Sequence, residues 1–166
     1  MLFRSFNFDF DNMSEEEKAE IEKEMREKNE QRDNHPLFKK ANDIIDLVSA
    51  IIESLPKGVK EMYESTLMES AYILAPKLAG AIGSESWLVC MQNASLIRYH
   101  AEYLLTATSG LEMFMEEEDA KINEDYIAIM RKEMFEFQKL FVAWVKEFNQ
   151  YEREEYVDEW GLFLRP

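Results

Sequence analysis

SESWLVCMQNASLIRYHAEYLLTATSGLEMFM, residues 84–115, is the stretch whose reading decides the fold. Apolar or small residues recur at alternating steps of three and four through Trp87, Cys90, Ala94, Ile97, Ala101, Leu104, Thr108, Leu111 and Met115. That period predicts one long helix. A second stripe runs beside the first: Leu88, Met91, Ser95, Tyr99, Tyr103, Thr106, Gly110 and Phe114. Between Ser86 and Leu111 the formal charges are Arg98 and Glu102, with His100 as a third titratable group. A helix apolar most of the way round is expected to be covered on several sides. The rest of the chain is therefore expected to pack around this segment.

The neighbours are predicted as helices too. Residues 13–33 are rich in helix formers, and Ser14 followed by Glu17 reads as a capping box. Apolar content there is thin, so the segment is either a mostly solvated helix or a disordered lead-in. A first core helix is expected from His35–Pro36 with a stripe of Leu37, Ala41, Ile44, Val48, Ile51 and Leu55, broken at Pro56–Lys57–Gly58. A second runs from about Val59 to Ile82. Pro76 within it should kink the helix and free the carbonyl near Tyr72. Gly83 ends it, and Ser84 starts the central helix. A last helix spans 124–151 with the stripe Ile127, Met130, Met134, Phe137, Phe141, Trp144, Phe148 and Tyr151.

The expected fold is all-α. It is an antiparallel, up-and-down, left-handed four-helix bundle over 35–151. The N-terminal arm and charged helix occupy 1–34. Phe6, Phe8 and Phe10 alternate with polar residues in that arm, and an aromatic tail, 152–166, holds Trp160, Leu162, Phe163 and Leu164. The arm is expected either to stay a flexible tail or to dock its phenylalanines on the body or a neighbouring subunit, and the aromatic tail is expected to pack on the body or on a partner.

The formal net charge is −15, and it is unevenly placed. Residues 1–34 carry 6 positive and 11 negative charges, 112–125 carry 1 and 7, and 152–159 carry 1 and 5. The remainder is close to neutral. No Lys/Arg cluster could neutralise a run of phosphates, which argues against direct nucleic-acid binding and against an anionic membrane surface. An acidic arm could instead engage a basic protein partner. One cysteine, Cys90, excludes an internal disulfide and suits a reducing cytoplasm. No apolar run reaches the ~18 residues of a membrane span.

No constellation of residues carries chemistry. The positions three before His35 and His100 are Arg32 and Ile97, so the Glu-x-x-His pairs of di-iron bundles are absent. Zinc-ligand spacings and phosphate-binding glycine loops are absent as well. No catalytic, cofactor or metal residues are therefore assigned, and no cofactor is expected. An aromatic-lined cavity holding a small ligand is an alternative role. The candidate surface is an interface built from Tyr72, Ala75, Pro76, Ala79, Leu88, Met91, Ser95, Arg98, Tyr99, Glu102 and Tyr103. It would make the chain a self-associating scaffold or interaction module, most simply a homo-oligomer. Within it Arg98 and Glu102 can pair at i,i+4. Two roles are open to them: setting register as polar groups in the interface, or facing solvent on a monomer.

Residues SAYILAPKLAGAIGSESWLVCMQNASLIRYHAEYLL carry a family resemblance. Ser70, Pro76, Leu78, Ala79, Gly80 and Gly83, followed by Ala94, Ser95, Leu96, Glu102 and Leu105, resemble the second and third helices of a bacterial family. These are the four-helix-bundle proteins encoded in intervening sequences of 23S ribosomal RNA genes. The likeness spans roughly 36–150. It implies a small non-enzymatic bundle. Relatives that serve as accessory proteins of diversity-generating retroelements imply a ring-shaped oligomer and an association with RNA or the ribosome.

Overall fold

In the computed structural model, the described residues are 13–114, 122 and 124–151. The phenylalanine arm, most of the acidic loop 115–123 and the aromatic tail lie outside them. The described chain is all-helical: α1 (Glu15–Asn34), α2 (Pro36–Ser54), α3 (Lys57–Ala81), α4 (Trp87–Glu112) and α5 (Glu124–Glu147), with a short 3₁₀ turn at Phe148–Gln150. Helices α2, α3, α4 and α5 pack as a closed cycle, each touching two neighbours, and α1 rests against α2.

Local chemistry explains where each helix begins. Ser14 and Glu17 form the reciprocal capping box, with the Ser14 hydroxyl accepting from the Glu17 amide and the Glu17 carboxylate accepting from the Ser14 amide. Of the two readings open for residues 13–33, the helix is the one found, although none of its residues is buried. Arg32 lies over the Phe38 ring at 5.5 Å. His35 serves both α1 and α2. Its amide closes α1 on the Arg32 carbonyl at 3.0 Å, while its Nδ1 accepts the Leu37 amide at 3.2 Å to cap α2.

Four boundaries differ from expectation. Helix α3 starts at Lys57, so the break is Leu55–Pro56. Pro56 lies at the helix entrance with φ −56°, where its fixed geometry suits the start of a helix. Helix α4 starts later, after Ser86, whose hydroxyl accepts the Val89 amide at 3.3 Å. It ends at Glu112. Helix α5 tightens into the 3₁₀ turn at Phe148. Helix α3 runs through Pro76 as a single element. Pro76 and Tyr72 are both exposed, so the carbonyl that Pro76 cannot bond lies on a solvent face.

The expected stripes form the core. Leu37, Ala41, Ile44, Val48, Ile51 and Leu55 of the α2 segment are buried, as are Cys90, Ala94, Ile97, Leu104 and Leu111 of α4. From α5 come Ile127, Met130, Met134, Phe137 and Trp144. Each of the Leu, Ile, Val, Met and Phe side chains among them contributes roughly 1.5–3 kcal/mol when removed from water. An aromatic run along α5 joins them, with Trp144 edge-on to Phe148 at 4.7 Å. Gly110 of α4 lies against the Tyr63 side chain of α3. A Cβ there would sit 2.5 Å from the Tyr63 hydroxyl, while the ring carbon bearing it is 3.4 Å away.

Two outcomes are expected. Gly110→Ala should destabilise the protein despite alanine's advantage of about 1 kcal/mol in a helix. In a Tyr63→Phe background, which removes the clashing oxygen, the same substitution should stabilise it; paired urea titrations read the reversal. The second concerns His35. Burial holds its imidazole below the ordinary 6.5, against the opposing Glu147 charge. The unfolded chain therefore takes up the proton more readily, and protonation also removes the Nδ1 acceptor. Stability should be intact above pH 6.5 and fall as pH drops from there through the folded-state value. Thermal melts at pH 7.5 and 5.5 check this, and His35→Asn, which keeps a cap worth about 1 kcal/mol, should flatten the dependence.

Candidate functional site

The sequence-derived interface residues fall into three places. Leu88, Ser95, Arg98, Tyr99 and Glu102 lie on the outer side of α4, with Tyr99 67 % exposed. Arg98 donates to Glu102 at 2.9 Å, and the Ser95 hydroxyl is turned back onto the Met91 carbonyl at 2.9 Å. Tyr103 instead turns toward α3 and donates to the Thr66 hydroxyl at 2.6 Å. Met91 is half-buried and packs on the core.

The α3 residues divide differently. Ser70 faces α4, where its hydroxyl lies 3.2 Å from His100 Nδ1. Two residues on, Tyr72 is about 200° further round the helix, on the side away from α4. Tyr72 and Pro76 are exposed, Ala79 is half-buried, and Ala75 is buried within the chain. Tyr72 and Pro76 thus do not share a face with the exposed α4 residues.

The second α4 stripe is split in the same way. Phe114 meets Tyr63 edge-on at 6.2 Å, and Tyr103 reaches Thr66, so α3 covers that end. Leu88, Gln92, Ser95, Leu96, Tyr99, Glu102 and Thr106 remain as an outward strip whose one formal charge, on Glu102, is paired with Arg98 beside it. All are exposed except Leu88, which is half-buried.

A groove runs between α4 and α5. Ala101 and Leu105 from α4 and Met134, Phe137 and Phe141 from α5 line its floor, with Arg98, Glu102, Gln138 and Val142 at the rim. Its volume is about 330 Å³. This is the low end of the ~300–1,000 Å³ range of binding clefts. Beside it, Phe135 and Val142 remain about half exposed, at 48 % and 47 %. The sequence reading missed this α5 face. Its signal was the i,i+7 pair Phe135 and Val142, one residue off the main stripe at Met134 and Phe141. Beyond one end of the groove, Arg131 ties α5 to α4: Nε donates to Thr108 at 3.0 Å, Nη1 to the Glu112 carboxylate and Nη2 to Ser109 at 3.3 Å. That contact holds the Glu112 carboxyl below the usual range and raises the Arg131 guanidinium.

Cys90 is engaged in packing. Burial pushes the Cys90 thiol up, and its sulfur lies 3.7 Å from the carbonyls of Ala81 and Ser84. Among the described residues no group of His, Cys, Asp and Glu could hold a metal ion, and no buried side-chain polar atom lacks a partner. No described helix is long and apolar enough to cross a membrane. Comparison with protein-family models, curated proteins and solved structures finds no match to this chain.

Arg131→Met should lower the urea midpoint more than Arg98→Met. The first removes three bonds, one of them to the fully buried Thr108, whereas the second breaks an exposed i,i+4 pair of little value.

Proposed function

We propose that this chain is a non-enzymatic association module whose outer α4 face docks on a second copy. In this reading helices α2–α5 close as an antiparallel, up-and-down four-helix bundle with left-handed crossings. Contact order supports the topology. Tyr63, Thr66, Ser70 and Gly80 of α3 meet Gly110, Tyr103, His100 and Asn93 of α4, numbers rising in one helix as they fall in the other. Ser49 of α2 and Met68 of α3, and Arg131 and Glu112 across α5 and α4, fit the same scheme.

The observation that carries the reading is the charge-poor outer strip of α4 from Leu88 to Thr106, in which Glu102 is the one formal charge. Two copies of a chain with net charge −15 repel each other, and the repulsion is least where neither presents charge. Arg98, beside the strip, neutralises Glu102 within it. A two-fold contact across α4 would set the same patch against itself, with Ser95 and Tyr99 near the axis. Aromatic side chains are favoured at the centre of such contacts.

Light scattering at micromolar concentration should give a dimer or a larger closed oligomer. Raising the salt should strengthen association, because it screens repulsion between like-charged copies. Tyr99→Lys should weaken association on the order of tenfold, about 1.4 kcal/mol. A monomeric mass at both low and high salt would sink the proposal.

A further inference from the structure

We propose that the α4–α5 groove is the docking site of the chain's own C-terminal apolar segment, residues 160–164. The groove has an apolar floor, and Val142 at its rim is left half exposed. An apolar cleft of this kind gains free energy when an apolar segment displaces its water. Residues 160–164 read Trp-Gly-Leu-Phe-Leu, four large apolar side chains within five positions.

Reach permits this occupant. The last described residue, Tyr151, follows the end of α5. Phe141 lies ten residues back along the helix, about 15 Å, and Met134 seventeen residues back, about 25 Å. Trp160 lies nine residues beyond Tyr151, a connector that can span up to ~30 Å. Folded back along α5, the segment reaches the floor between Phe141 and Met134. The connector carries Glu152, Glu154, Glu155, Asp158 and Glu159. These residues favour water, which leaves 160–164 as the part with surface to bury. Attachment to the same chain also gives the segment an effective concentration of order millimolar, ahead of any free apolar peptide.

The site differs from the outer α4 strip, so the two proposals fail separately. The test uses the full chain with Cys90→Ala, Gln138→Cys and Leu162→Cys, and circular dichroism verifies folding. At dilute concentration, mild oxidation should produce a disulfide within one chain. Moving the first cysteine to the exposed face of α2, as Asp46→Cys, should abolish it. A second measurement leaves Cys90 in place. Amides of 160–164 should exchange about tenfold more slowly than those of 152–158, and Val142→Asp at the exposed rim should remove the difference. A disulfide formed only between chains, or equal exchange rates in the unmodified protein, would overturn the proposal. A dimer lost in Tyr99→Lys with the internal disulfide retained separates this docking from self-association.

Discussion

Between Trp87 and Glu112, helix α4 offers water almost no charge, and the bundle is arranged around covering it. Ile97, Leu104 and Leu111 are withdrawn from solvent altogether. One neighbour, α3, closes on the flank carrying Asn93, His100, Tyr103 and Gly110. The other, α5, closes on the flank carrying Ala101, Leu105 and Thr108. Helix α2 packs against both of those neighbours and completes the cycle. Short links force this arrangement, since two residues separate α2 from α3 and five separate α3 from α4. Gly83, with φ +83°, makes the second turn possible because a side chain is strained there.

The two flanks of α4 are closed to different extents, and side-chain size is the reason. Toward α3, a glycine at 110 and hydroxyl groups at Ser70 and Thr66 permit close approach, and the polar atoms find partners across the contact. Toward α5, Ala101 is a small residue opposite the rings of Phe137 and Phe141. The long side chains that could lie over the gap, Arg98 and Glu102, bond to each other instead. The groove is what remains. Its far end is held by Arg131, whose guanidinium satisfies acceptors on the last turn of α4.

Charge is kept away from this centre. Helix α1 has no buried residue and stands through its capping box, its junction at His35 and the Arg32–Phe38 contact. The chain as a whole is strongly acidic, yet the outer α4 strip carries one formal charge, Glu102, and Arg98 pairs with it.

The helices and their inward stripes were legible in the sequence because they depend on local periodicity. Residues at i, i+3 and i+7 share a face whatever lies opposite, so the α2 stripe from Leu37 to Leu55 could be read directly. Capping at Ser14 was legible for the same reason: donor and acceptor are three residues apart. The start of α4 was less so, since Ser84 and Ser86 are both able to cap. Only the tertiary structure decided which half of the second α4 stripe stays open. Tyr99 and Tyr103 are one turn apart and chemically alike. Thr66 of α3 takes the hydroxyl of one, and the other faces water. Tyr72 and Ala75 part company in the same manner, one outward and one inward. The groove was equally hidden, because a gap depends on the sizes of residues contributed by two helices. Sequence periodicity specifies the face a helix buries; how completely a neighbour covers it is decided by what that neighbour places opposite.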